Sequence, residues 1–283
     1  MKDKFSNPVN KEKRKLLKTV GAAVAASPLI YMMDSRAQSG GMSPPDSDSG
    51  GGSDTGTSTW ASGGTASISV DFPPSDPFVS GLGNLCTTTS SYTLGPCYFS
   101  PDEYRQDISE GEAGVPMILV LKLVDNDCQP ISGADIDIWH CNWAGLYSGD
   151  SAGSSDSSSF NSSFCTADDA GALASRWHRG VQTTDSSGMV YFKSCFPGWY
   201  AGRTTHIHFK IVRNGVTSLI SQFCFDDDLC DEIYLNHGDY TGTAKDTANA
   251  NDNVFGSDYE DYEFVVEQAS DNSMLAYKAI QLS

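Results

Sequence analysis

The apolar positions of this chain fall in short runs, and where they alternate they do so with a period of two. Residues 134–140 (ADIDIWH) put Ile136 and Ile138 on one side of an extended segment and Asp135 and Asp137 on the other. Residues 117–124 (MILVLKLV) are nearly all apolar and predict a buried strand. Further strands are predicted over 189–193, 206–212, 219–225, 262–268 and 274–282. Turn signals separate them: Asp125-Asn126-Asp127, Ser132-Gly133, Asp185-Ser186-Ser187-Gly188, Pro197-Gly198 and Asn214-Gly215. The last of these is a hairpin signal, because both residues tolerate positive φ. No stretch sustains a period of 3.6 residues. Short strands at this density predict an all-β fold, a two-sheet β-sandwich.

The ends of the pattern are different. Residues 11–18 are basic, 19–33 are apolar and Ala-rich, and Ser35-Arg36-Ala37 offers a small-residue cleavage point. This predicts an export signal over 1–37. The apolar run is too short and too Ala-rich to predict a span that stays in the membrane after processing. Its core, Lys13-Arg14-Lys15-Leu16-Leu17-Lys18, resembles a twin-arginine signal with Lys in place of the first Arg, so two export routes stay open. Residues 38–67 are rich in Gly and Ser, with Trp60 as the one large side chain. Such a composition predicts a disordered linker, leaving 68–283 as the folded domain. Residues 148–174 read as a Ser/Gly-rich surface insertion that a disulfide at Cys165 could pin.

Charge and cysteine content narrow the class. The 283 residues carry 36 acidic and 18 basic side chains, a net charge of −18. A surface of that sign repels phosphate backbones and anionic lipid, so nucleic acid is excluded as a partner. Oligomeric state is not readable. The cysteines are Cys86, Cys97, Cys128, Cys141, Cys165, Cys195, Cys224 and Cys230. An even number in an exported chain predicts up to four disulfides. Cys224 and Cys230 are near enough in sequence to pair, which would clip the acidic run at 226–232 as a solvated loop.

Candidate chemistry gathers in Tyr200-Ala-Gly-Arg203-Thr-Thr-His206-Ile-His208. His206 and His208 are two apart on a strand, so both imidazoles leave one face while Ile207, Phe209 and Ile211 line the other. By itself such a pair serves equally as a chelating half-site or as two imidazoles on a half-exposed strand. Pro197-Gly198 precedes Tyr200 and can fold its phenol over the pair. Tyr147 follows a strand in a Gly-flanked turn. His140 and Trp139 read as core or pocket wall, and His237 as an exposed loop residue.

Four motifs, in order along the chain, resemble the intradiol ring-cleavage dioxygenases, the family of catechol and protocatechuate dioxygenases. Residues 135–149 (DIDIWHCNWAGLYSG) resemble its first-tyrosine motif and 179–188 (RGVQTTDSSG) its Arg-Gly turn. Residues 197–209 (PGWYAGRTTHIHF) resemble its second-tyrosine and His-x-His motif. Gly95-Pro96-Cys97-Tyr98 resembles its entry segment, with Cys97 replacing a Tyr. The resemblance implies a non-haem Fe(III) held by Tyr147, Tyr200, His206 and His208. Hard phenolate donors suit that hard cation. It further implies O2 and a catecholic substrate as partners, with substrate displacing Tyr200 and intradiol cleavage giving a cis,cis-muconate-type diacid. Arg203 corresponds to the family's charge-stabilising Arg and Gln222 to its substrate-positioning Gln. Tyr200 and His206 stand closer together than in protocatechuate enzymes, which removes the loop that contacts substrate there. The helical dimerisation region of catechol dioxygenases is also missing. Two rivals remain at this level: a non-catalytic exported binding or surface module, and another metal-dependent activity on the same site.

Overall fold

A computed structural model describes residues 58–100, 103–150 and 160–282. The predicted export signal, the linker up to residue 57 and the insertion at 151–159 lie outside the described residues. Among the described residues, eight strands form two four-stranded sheets. One sheet has the order β4 (Met189–Cys195), β1 (Pro116–Val124), β8 (Met274–Gln281), β7 (Val265–Gln268). The other has β3 (Arg179–Thr183), β2 (Asp135–Trp139), β5 (His206–Arg213), β6 (Val216–Cys224). β1 and β8 pair in parallel and the remaining ladders are antiparallel. The two-sheet expectation therefore holds.

The period-two pattern decides what each sheet faces. Leu119, Leu121 and Leu123 of β1 meet Ile136 and Ile138 of β2 and Ile207, Phe209 and Ile211 of β5 in the core between the sheets. Each such side chain contributes about 1.5–3 kcal/mol on burial. The other face of β1, Ile118 and Val120, is buried under Phe78 and the partly buried Ile68, Val70 and Phe72. Coverage on both sides explains why the β1 sequence is nearly all apolar. The outer face of the second sheet carries Trp139, which packs with Tyr98 and Tyr147. Asn214 and Gly215 join β5 to β6 with φ of 52° and 75°, the paired positive values of the expected hairpin turn.

Several expectations are corrected. Residues 58–67 are built into the domain: Trp60 packs on the main core and donates Nε1–H to Glu232 at 3.1 Å. Gly64–Ser67 forms a 3-10 turn in which Thr65 bonds Asp107 at 2.9 Å. Composition missed this because one aromatic anchor outweighs a Gly/Ser background. The disulfides are Cys86–Cys128 and Cys97–Cys165, while Cys224 and Cys230 are buried free thiols, as are Cys141 and Cys195. The acidic run is a helix, Asp227–Asn236. Asp226 caps it by accepting Leu229 N–H at 2.9 Å, and Asp227 and Asp228 sit in its first turn, where the helix dipole favours negative charge. It buries Cys230, Ile233 and Tyr234 at i, i+3, i+4 spacing, too brief a stretch to register as a period. His237 is buried beyond that helix, its Nε2 3.1 Å from both Ser62 Oγ and Ala61 O. β3 is a strand that the sequence pattern does not predict, because Arg179-Gly-Val-Gln-Thr has no clear alternation. Among the described residues no helix is long and apolar enough to cross a membrane.

Candidate active site

β5 projects His206 and His208 from the outer face of the second sheet, and both are buried. Their Nε2 atoms lie 3.1 Å apart. Tyr200 Oη lies 3.1 Å and Tyr147 Oη 3.5 Å from His206 Nε2. Arg203 Nη1 reaches the same atom at 3.5 Å. All four nominated donors, contributed by three chain segments, thus face one point.

Two close backbone crossings deliver the tyrosines to that point. Asn142 organises the turn after β2, its Oδ1 accepting Ala144 N–H and Leu146 N–H at 3.1 Å each. A Cβ on Gly145, whose φ is +76°, would lie 2.2 Å from Trp199 O. A Cβ on Gly198 would lie 2.3 Å from Trp143 O. The two glycines therefore let the Tyr147 turn and the Tyr200 turn press backbone to backbone. The phenol rings end 5.9 Å apart, edge to face.

The imidazoles are oriented differently. His206 Nδ1 is 2.7 Å from Thr204 O. A carbonyl can only accept, so Nδ1 carries the proton and the Nε2 lone pair faces the phenols. His208 stacks on Trp139 at 4.9 Å and 9°, the two being register partners across β2 and β5. Gln222 lies opposite His208 across β5 and β6 and accepts Arg203 Nη2–H at 2.6 Å. Arg203 Nε–H donates to Asp252 at 2.8 Å.

Burial sets the protonation states. It lowers His206 to about 3, with Arg203 pushing the same way, and holds His208 well below the usual imidazole range. It raises Tyr147 well above the ordinary phenol value, with Tyr200 adding to the rise, and raises Tyr200 to about 12 against the pull of Arg203. Two neutral imidazoles and two protonated phenols therefore share a largely buried site. This donor set fits a hard cation: a cation would displace the phenolic protons and take the imidazole lone pairs. Tyr147 is 2% exposed while Tyr200 is half-buried, so the site opens on the Tyr200 side.

Other residues fall outside the cluster or went unnoticed in the sequence. His140 and His178 are fully buried; their rings stack at 4.4 Å and both bond Ser194 Oγ, at 2.8 and 2.9 Å. They serve packing. Asp252 is the polar partner that sequence reasoning missed. It stands 49 residues from Arg203, within an Asn/Asp-rich turn that carries no local sign of its target.

A protein-family model described as "Dioxygenase" matches residues 92–266, a span that contains all six nominated site residues. Catechol 1,2-dioxygenase of Candida albicans is 28% identical over 158 residues, 47% of this chain and 46% of that protein. The chain thus spans about half the length of that relative. The solved intradiol ring-cleavage dioxygenase from Tetranychus urticae is similar with a TM-score of 0.59 and 27% identity, over 70% of this chain and 95% of that one.

Proposed function

Because the chain belongs to the intradiol ring-cleavage dioxygenase family, we propose that it is an exported Fe(III) enzyme that opens a catecholic ring between its hydroxylated carbons. Both atoms of O2 enter the product, a cis,cis-muconate-type diacid. The observation that carries this reading is the convergence of Tyr147, Tyr200 and His208 within 3.1–3.5 Å of the buried His206 Nε2. When bound, ferric iron supplies the charge that makes a chelated catecholate reactive toward O2 directly.

The protein's own groups do the rest. His206 and His208 would offer neutral lone pairs to the iron, and Tyr147, the more deeply buried phenol, would be the oxygen donor that stays. Tyr200 stands on the open side and would be the donor that gives way to substrate, its Oη placed to hold a proton from a catechol hydroxyl. Arg203 aims Nη1 at the centre, a fixed cation where negative charge develops, and such preorganised charge in a dry site is often the largest catalytic contribution. Gln222 is held between Arg203 and Thr93 O, its Nε2 3.3 Å from that carbonyl, and borders the same space. Export is supported by two disulfides in the domain, a feature of oxidising compartments.

One spectrum tests the reading. Protein purified in air should be red-brown from tyrosinate-to-iron charge transfer, and catechol should shift the band and start O2 uptake. Tyr147→Phe should lose the colour and Tyr200→Phe should move it. A colourless protein that retains zinc, or no O2 uptake with catechol, protocatechuate or hydroxyquinol, would overturn it.

A further inference from the structure

We propose that Asp252 is a positioning residue of the active site, aiming the Arg203 guanidinium and fixing His206 through one shared oxygen. The inference rests on the metal-site reading given above. Arg203 has three nitrogens, and each has its own direction. Nε donates to Asp252 Oδ2 at 2.8 Å and Nη2 to Gln222 Oε1 at 2.6 Å. Nη1 is left facing His206 Nε2 at 3.5 Å. A planar guanidinium held at two corners has no freedom at the third. Asp252 and Gln222 together therefore decide where Nη1 points.

The same Asp252 Oδ2 accepts Thr204 N–H at 2.9 Å. The Thr204 carbonyl in turn receives the Nδ1 proton of His206 at 2.7 Å. Asp252 thus reaches the donor cluster by two routes, one through a side chain and one through a peptide. It is itself held rigidly. Oδ1 accepts Val254 N–H at 2.8 Å and Phe255 N–H at 3.4 Å, and the residue is 2% exposed. Asn249, three residues earlier, bonds the Thr204 hydroxyl and donates Nδ2–H to Phe225 O and Glu263 Oε1, both at 2.8 Å. The loop from 249 to 255 is therefore clamped against residues 203–206. Were Asp252 no more than a turn cap, Oδ1 alone would suffice; Oδ2 is spent entirely on the active-site segment.

Asp252→Asn breaks the arrangement, since an amide has one acceptor oxygen where the carboxylate has two and both are in use, and exchange of the Arg203 Nε–H tells which pair of donors loses its partner. In the metal-free protein, the Arg203 Nε–H resonance is identified by its loss in Arg203→Lys. It should exchange slowly with water in the parent and rapidly in D252N. In the iron-loaded protein, D252N should lower kcat by about 10- to 100-fold, the range for groups that orient metal-site residues, with KM changed by less than threefold and the visible band shifted. Glu at 252 should restore part of kcat. A D252N protein whose Arg203 Nε–H exchanges rapidly while kcat stays parental and only the urea midpoint falls would overturn the proposal, leaving a turn cap. If D252N does not fold, the parent decides alone: an Arg203 Nε–H exchanging as fast as a free guanidinium overturns it, and slow exchange upholds it. Failure of the iron reading itself would appear in the parent as missing colour and O2 uptake, while the metal-free resonance still reports on Asp252.

Discussion

His208 shows how much of this site is set by a single unconventional contact. Among the described residues its Nδ1 has no hydrogen-bond partner, although it is buried. His206 is fixed by the Thr204 carbonyl; His208 has Trp139 instead, parallel to it at 4.9 Å. A Cβ on Gly95 would lie 3.3 Å from His208 Cε1, so the ring is confined on that side as well. Trp139→Ala should therefore free the imidazole to turn. Iron affinity should fall by about tenfold, in the range for lost outer contacts of a metal ligand. Iron remaining after a fixed chelator challenge measures it, with the secondary-structure spectrum unchanged. Iron retention equal to the parent would show that the stack is not what orients His208.

At the scale of elements, the site depends on two turns at one end of the second sheet, after β2 and before β5, meeting without side chains between them. Gly145 against Trp199 O and Gly198 against Trp143 O form a reciprocal contact. Gly198 N–H also donates to Asn142 O at 3.0 Å, so the turns are bonded as well as touching. Gly198→Ala places a methyl on that carbonyl and must spread the turns. Overpacking of this kind costs about 1–3 kcal/mol, read as a lowered urea midpoint. It should also separate Tyr147 from Tyr200 and lower the iron-to-protein ratio. A stability loss without iron loss would mean that the tyrosines are held by other contacts, such as Tyr147 N–H to Cys165 O at 2.8 Å. The helix Asp227–Asn236 supports the same region from behind: Tyr234 Oη lies 2.7 Å from Thr205 Oγ1 and donates to Pro197 O at 2.9 Å.

For the whole molecule, buried imidazoles link stability to pH. Burial holds His140 down to about 4 and His178 well below its usual range. In the unfolded chain both would take up protons below about pH 6.5. Between about pH 6.5 and 4 the unfolded state thus binds more protons than the folded one, and stability falls as pH falls. His140 alone accounts for about 3 kcal/mol across that window, at about 1.4 kcal/mol per pKa unit. The urea midpoint should drop steadily from pH 7 to 4.5, before most carboxylates titrate, and His140→Asn should flatten the slope. An unchanged midpoint over that range would refute the linkage.

Local pattern determined a good deal of this protein. Alternation placed Ile136, Ile138, Ile207, Phe209 and Ile211 in one core, Asn214-Gly215 marked its hairpin, and strand spacing put His206 and His208 on one face. These features are local: a strand has two faces and a turn has two residues, so neighbours in sequence settle them. Motif resemblance gave Tyr147, Tyr200 and Arg203 their roles and added Gln222, whose proximity no periodicity reveals. Tertiary structure alone decided which cysteines pair, why Trp60 anchors a Gly/Ser-rich stretch, and that Asp252 belongs to Arg203. Each of those joins residues more than 40 apart in the chain. The partner there is chosen by the order of strands in two sheets and by which loops cover the outer face. That geometry exists only once the sheets have formed, because neither member of such a pair carries a local mark of the other.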